Sequence, residues 1–326
     1  MKRTGISATA ALICITLFIS ISLSITYYFS CATHALGHED NAITFKSFSN
    51  NLEQYKKLRQ EWRPRIFSNY LAGWLIPSNA NARVFQQRVA LWSSGWFFLC
   101  CVGYIISDLK NAPFLIFGTF AALYYAFTPL SESHIYPWDM PAMFFFVLIY
   151  AAHVRKSITP LLLILWIGCG FKETVALGSI VFLFRTDLSL RARLAYFLAA
   201  VVGCASVKLA IDLLTANPSP LLTMTFNNFG LMDEIASRYQ GIAYNREALI
   251  KPYLNHPIFV NAGTFVIFLL LLPRDMEDWT WKTVGILFLA GIMMFGVINE
   301  ARIFFEMIPI SLWAINKKLQ RLLQAA

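Results

Sequence analysis

The chain has few charged side chains for its length. Only 14% of its 326 residues are Asp, Glu, Lys or Arg, whereas soluble domains carry about 25%. Hydrophobic residues make up 57%, and the mean hydropathy is +0.56. This composition excludes an ordinary soluble globular protein and predicts a single integral-membrane domain over residues 1–326.

Several features that would indicate other classes are also missing. The six cysteines show no metal-type spacing, and five of them lie in apolar runs, which argues against a disulfide framework. No internal repeat, low-complexity tract or second soluble domain is visible. The net charge is +9, but no basic patch alternates with stacking aromatics, so no nucleic-acid partner is expected.

What the chain does contain is a series of apolar runs. The first, about residues 7–29, is longer than a signal-peptide core and is predicted to be a retained helix. The remaining runs, within residues 89–316, cover about 89–107, 113–130, 137–153, 158–184, 194–214, 257–273, 283–298 and 302–316. They predict an all-α, polytopic transmembrane helix bundle of nine or ten membrane segments.

The run 158–184 is unusual because Lys172 and Glu173 interrupt it directly after Gly168 and Gly170. Either it crosses once with a buried charged pair, or it turns back as two short helices. Turning back places most Lys and Arg of the short connections on the side of Lys2, as the positive-inside bias requires. We therefore predict a broken or re-entrant pair, with both termini cytoplasmic.

Two long polar segments, 30–88 and 215–256, then become outer loops. In the first, apolar residues from Ile66 to Leu75 recur at helical spacing. This pattern predicts either a helix in the outer membrane interface or a short helix packed on the bundle.

The acidic pair Glu39 and Asp40 follows the first span closely enough to lie near the membrane surface. A carboxylate there can take a proton from an acceptor hydroxyl, which is general base catalysis. An ordinary solvated acidic pair is the alternative. Neighbouring histidines such as His38 allow a site for a divalent cation, Mg or Mn, as a further possibility. Their spacing does not match a recognisable set of metal ligands.

Other polar clusters fall on the same predicted outer side. Asp139 begins a span, where capping alone would explain it, and Lys172 lies at membrane depth, where ionisable residues indicate function. Arg302 carries a fork-shaped guanidinium suited to phosphate. The further candidates are Arg63, Arg65, Glu132, His134, Glu173 and Glu300.

This layout resembles the GT-C class of integral-membrane glycosyltransferases, which use polyprenyl-phosphate-linked sugars. The resemblance lies in the long outer first loop with Glu39-Asp40, its interface helix, the second acidic loop ending at Asp139, and outward Lys172 and Arg302. The segment 171–174 and the stretch from Glu300 to Pro309 look like patterns in bacterial members.

The resemblance implies a role for each candidate. Asp40 would be the general base, with Glu39 as its substitute. Lys172, Arg302, Arg63 and Arg65 would bind the donor phosphate. Asp139, Glu132, His134, Glu173 and Glu300 would orient the acceptor or assist a metal.

The implied partners are a polyprenyl-phosphate sugar donor, membrane lipid and a glycan or lipid acceptor. The implied location is the bacterial inner membrane, with the site facing the periplasm or exterior. Two other classes stay open at this point: a transporter or flippase of a lipid-linked or anionic solute, and a non-catalytic membrane subunit. A transporter fits the broken run at Lys172, because discontinuous helices line substrate sites.

Overall fold

A computed structural model describes the larger part of the chain. The described residues are 12–13, 15–22, 67–68, 71, 75, 82–126, 138–214, 258–295 and 301–324. Within these ranges the regular secondary structure is helical and contains no strand. The prediction of an all-α fold is confirmed.

The helices follow the predicted apolar runs closely. They are α1 Ala82–Ser107, α2 Ala112–Ala126, α3 Asp139–Val154, α4 Ile158–Phe171, a long 3₁₀ helix Glu173–Phe184, α5 Leu190–Leu214, α6 Ile258–Leu270, α7 Met276–Phe295, a short 3₁₀ helix Ala301–Met307 and α8 Ile308–Leu323. Residues 15–22 of the predicted first span are also helical.

Length and composition single out one possible membrane span among the described residues. It is Leu190–Ile211 within α5, with a mean hydropathy of 2.0 and 17% of its window buried in the protein. Outward-facing Leu194, Leu198 and Val202 give this helix an exposed apolar surface. Several other helices are apolar but shorter than 18 residues, so a polytopic bundle is not established by helix length.

The run 158–184 turns back on itself at Lys172, as predicted. The backbone of Lys172 is extended, with φ −157° and ψ 133°, and separates α4 from the long 3₁₀ helix. The two segments then lie antiparallel: a Cβ added at Gly168 would be 2.6 Å from Val175 Cγ1, and one at Gly178 would be 2.9 Å from Leu165 Cδ2. Glycine permits this close approach because it has no side chain.

This turn gives the bundle two chemically different ends. One end, here called the basic end, consists of the connections 107–112, 154–158, 184–190 and 271–276 and the C-terminal turns of α8. Its parts are tied together by hydrogen bonds such as Arg155 Nη2 to Ile106 O at 2.8 Å and Arg185 Nη2 to Lys156 O at 2.9 Å. The other end, the cluster end, contains Asp139, Lys172 and the short 3₁₀ helix. His153 lies fourteen positions after Asp139 in α3, which is roughly 21 Å of helix.

Helix α3 is the centre of the core. Most of its residues are buried, including Met140, Phe146 and Ile149, each 0% exposed. It packs against α1, α4, α8 and both 3₁₀ helices. A buried central helix lets the residue at its first position, Asp139, meet side chains from several elements.

Candidate functional site

Asp139 occupies the first position of α3 and is completely buried. A carboxylate in the first turn of a helix is favoured by the helix dipole. Trp138 before it is 1% exposed and Pro141 after it is buried, so the start of the helix is held by apolar packing. Asp139 also forms an ion pair, so the two explanations offered for it, helix-end stabilisation and membership of a site, are compatible.

Lys172 is the partner of Asp139. Its Nζ atom lies 3.1 Å from Asp139 Oδ1, and the Lys172 side chain is 8% exposed. The turn that places it there is fixed by backbone hydrogen bonds, with Lys172 N–H donating to Gly168 O and Val175 N–H donating to Lys172 O. The break in the helix therefore aims the ammonium group at the start of α3.

Glu306 completes this group and was not predicted from the sequence. Its Oε1 atom lies 2.5 Å from Lys172 Nζ, and its side chain is 1% exposed. Thr174 Oγ1 donates a hydrogen bond to Glu306 Oε2. The sequence does mark Glu306 as unusual, since it is the one acid inside the apolar run 302–316, and an acid buried among apolar residues needs a partner.

We call Asp139, Lys172, Thr174 and Glu306 the buried charge cluster. It joins α3, the short 3₁₀ helix and the turn at Lys172 between α4 and the long 3₁₀ helix, here called the hairpin turn. Two carboxylates share one ammonium group, so these three ionisable groups contain one more acid than base. Ion pairs of this kind recover the cost of burying charge only through close geometry and added hydrogen bonds, which the Thr174 hydroxyl helps to provide.

Aromatic rings pack around Phe171, the residue directly before Lys172. The Phe171 ring centroid lies 5.0 Å from that of Phe145 and 5.4 Å from that of Trp96. Trp96 also contacts Phe144, at 5.3 Å. An apolar wall lowers the local dielectric constant and strengthens each charge–charge interaction next to it.

A segment of the predicted outer loop packs directly on this turn. The Phe67 ring lies 5.8 Å from the Phe171 ring in an edge-to-face arrangement, and buried Ser68 Oγ donates to Phe171 O at 3.3 Å. Phe67 and Ser68 are helical. Of the two alternatives for this segment, packing on the bundle is therefore observed, and the contact connects the loop 30–88 to the cluster end.

The other predicted site residues are distributed as follows. Glu173 begins the long 3₁₀ helix and is exposed. Arg302 lies in the short 3₁₀ helix by its backbone, and its side chain lies outside the described part of the chain. Also outside the described residues are Glu39, Asp40, Arg63, Arg65, Glu132, His134 and Glu300.

The described residues contain no group of three His, Cys, Asp or Glu side chains that could hold a metal ion. Asp139 and Glu306 meet through the ammonium of Lys172. As found, they therefore form an ion-pair cluster.

Chemically, the cluster provides desolvated carboxylates and one desolvated ammonium at a fixed separation. Such groups can take up a proton or exchange an ionic partner, and burial makes each of these events strongly dependent on local charge.

Comparisons of the chain with protein-family models, with curated proteins and with solved structures give no match.

Proposed function

We propose that the protein is a membrane glycosyltransferase. It moves a sugar from a polyprenyl-phosphate donor to a glycan or lipid acceptor on the extracytoplasmic side, with a carboxylate as general base. The observation that carries this proposal is the buried charge cluster, because Lys172 holds two carboxylates at the tip of a broken helix pair. The packing of the loop residues Phe67 and Ser68 on that tip supports it.

The reaction begins with loss of the acceptor hydroxyl proton to a carboxylate. Asp40 is the proposed base and Glu39 its substitute. The hydroxyl oxygen then forms a bond to the anomeric carbon, while the bond from that carbon to the phosphate oxygen breaks with inversion. The leaving group is polyprenyl phosphate, which gains one negative charge as the bond breaks.

Lys172 stabilises that new charge in the proposed mechanism. Its ammonium is engaged by Asp139 and Glu306 before the donor arrives, so binding of a phosphate involves a partial exchange of partners. Because one carboxylate is in excess, Glu306 or Asp139 can turn to another partner while the other keeps Lys172 in position. Arg302, Arg63 and Arg65 are the proposed further phosphate ligands, since planar guanidinium groups bind phosphate in a bidentate manner.

The test is sugar transfer by purified protein in lipid vesicles. The donors are undecaprenyl phosphate linked to radiolabelled glucose, mannose or arabinose, and the acceptor is a lipid extract of the expression host. We expect Asp40→Asn and Glu306→Gln each to lower transfer at least a hundredfold while the protein remains folded, and Lys110→Gln, an exposed residue at the basic end, to lower it little. Full transfer by folded Asp40→Asn, or no transfer from any of these donors, counts against the proposal.

A transporter or flippase of a lipid-linked or anionic solute is the second candidate. The observation that favours it is the extended residue Lys172 between two antiparallel helical segments, with acids against its ammonium. Discontinuous helices and buried ionisable groups are common at transport sites. Uptake of a labelled lipid-linked sugar across vesicles, retained in Asp40→Asn and lost in Glu306→Gln, selects this candidate over the transferase.

A further inference from the structure

The basic end of the bundle contains a cleft that the proposed reaction does not use. It lies roughly 21 Å of helix from the buried charge cluster, between the end of α3, the connection after the long 3₁₀ helix and the start of α7. Its volume is about 320 Å³, and its lining includes His153, Lys156, Arg185, Asp187 and Glu277. A volume of this size is at the lower end of small-molecule sites.

Arg185 is the main polar group in the wall of this cleft. The residue is 2% exposed. Its Nε and Nη2 atoms donate to the two carboxylate oxygens of Asp187 at 2.7 and 2.6 Å, and Nη2 also donates to Lys156 O. The remaining nitrogen, Nη1, is buried and has no hydrogen-bond partner in the described part of the chain. A buried donor without an acceptor is unfavourable, and more so when the group is charged.

Lys156 adds a second cation at the mouth of the cleft. It is exposed and has φ +55°, the left-handed conformation that favours glycine. Its position ends α3, where Lys156 N–H donates to His153 O and Ser157 N–H donates to Ala152 O. Glycine is usual at this position of a helix end, so the chain carries a lysine where it costs backbone strain. Strain of this kind is concentrated at functional sites.

Both acids that line the cleft have basic partners, although Glu277 shares Lys317 with Asp275 and Asp278. Asp187 gives both carboxylate oxygens to Arg185. Glu277 Oε2 lies 2.8 Å from Lys317 Nζ, in an ion pair outside the lining. Lys156 and Arg185 are the basic residues of the lining, and Arg185 Nη1 is a buried donor that lacks an acceptor.

We propose that this cleft binds a phosphate group. A phosphate oxygen supplies the acceptor that Arg185 Nη1 lacks, and its charge is matched by Lys156. Arg185 is already oriented by Asp187 and by the Lys156 carbonyl, so little side-chain order has to be gained on binding. The phosphate belongs either to the head group of an anionic phospholipid or to free phosphate, and the chemistry of recognition is the same.

The test uses two probes on the full-length protein. The first is inorganic phosphate, titrated calorimetrically against protein in neutral detergent. The second is phosphatidylglycerol, measured by native mass spectrometry as lipid retained after incorporation into phosphatidylcholine nanodiscs with and without it. The variants are Lys156→Gly, which removes the ammonium and relieves the strained backbone, and Lys110→Gln, a matched loss of an exposed charge at the same end of the bundle.

We expect Lys156→Gly to weaken binding of the active probe about fivefold or more, a loss of about 1 kcal/mol, and Lys110→Gln to leave it unchanged. Binding of inorganic phosphate identifies free phosphate as the ligand, whereas retention of phosphatidylglycerol alone identifies the lipid head group. The proposal is overturned when neither probe binds the wild type, or when Lys110→Gln weakens binding as much as Lys156→Gly. Because Lys156→Gly removes strain, its loss of binding is separable from a loss of folding.

Discussion

The Nζ atom of Lys172 lies 2.5 Å from Oε1 of Glu306, although the two residues belong to apolar runs that are far apart in the chain. Each lies in a run where a single charge would be costly to bury. Together with Asp139 they compensate one another, so the ends of three helical elements are joined by one ammonium group. The cluster is therefore expected to stabilise the packing of these elements as well as to be a candidate site.

Removal of Lys172 is therefore expected to be costly. Lys172→Met leaves Asp139 and Glu306 buried without their shared cation, and breaking a buried pair costs about 3–5 kcal/mol. We expect a clear fall in thermal stability in detergent, measured by differential scanning fluorimetry. Lys110→Gln, at an exposed residue of the basic end, is the control and should change the free energy of unfolding by less than about 0.5 kcal/mol.

A second substitution should rescue part of that loss. Adding Glu306→Gln to Lys172→Met removes one of the two stranded charges and keeps an amide oxygen for Thr174. The double variant should be more stable than Lys172→Met alone. A strictly additive further loss would show that Lys172 and Glu306 do not act on each other.

The contact between Phe67 and the hairpin turn depends on Gly170. A Cβ at Gly170 would collide with the Phe67 ring, so we expect Gly170→Ala to displace the Phe67 segment and cost about 1–3 kcal/mol. Limited proteolysis should show faster cleavage in the loop 30–88. Gly291→Ala is the control, since a Cβ there meets nothing within 4 Å, and replacing a glycine inside a helix with alanine is favourable.

A second substitution, at Phe67, should compensate for the steric clash that Gly170→Ala creates. Phe67→Ala removes the ring that a new methyl group would meet, so Gly170→Ala should cost little in that background. Equal losses from Gly170→Ala in both backgrounds would indicate that the effect arises in α4 itself.

Acid should weaken the connection between Arg185 and Asp187. Hydrogen bonds from the Arg185 guanidinium lower the pKa of the Asp187 carboxyl. A lowered folded pKa gives stability that is present above the unfolded value of about 3.9 and is lost as the pH falls through the folded pKa. The melting temperature of Asp187→Asn should therefore approach that of the wild type as the pH is lowered from 6 to 3, with a difference below about 1 kcal/mol at pH 6 because the pair is partly exposed. A constant difference across this range would contradict the assignment, and Lys110→Gln should show no such convergence.

Substitutions of Asp275, at the start of α7, can distinguish the contribution of its helix cap from that of its ion pairs. Its Oδ1 atom accepts a hydrogen bond from Asp278 N–H at 2.8 Å, and its carboxylate pairs with Lys317 and Arg321. Asp275→Ala should cost about 1 kcal/mol more than Asp275→Asn, because asparagine keeps the cap and loses only exposed ion pairs. Chemical denaturation of both variants in detergent measures the difference, and equal losses would assign the effect to charge.

The apolar runs by themselves predicted a helical protein and located the described helices, although α1 begins at Ala82 and α7 at Met276, before the starts predicted at 89 and 283. They also located the break at Lys172, because a charged pair after two glycines disrupts an apolar run, and the excess of lysine and arginine in short connections indicated that the chain turns back there. These features are local in sequence or follow from counting, so they need no knowledge of contacts. Lys172 and Asp139 were accordingly found as candidates from the sequence.

Only the tertiary structure decided which charges meet. Glu306 was passed over because a single acid inside an apolar run does not identify its partner, and its pairing with Lys172 depends on how α3, the hairpin turn and the short 3₁₀ helix pack. The same holds for Arg185. Its Nε and Nη2 atoms donate to Asp187 and to the Lys156 carbonyl, and only the structure shows that its Nη1 atom is left without an acceptor. Sequence patterns record which groups are costly to bury, whereas the packed helices determine which groups compensate one another.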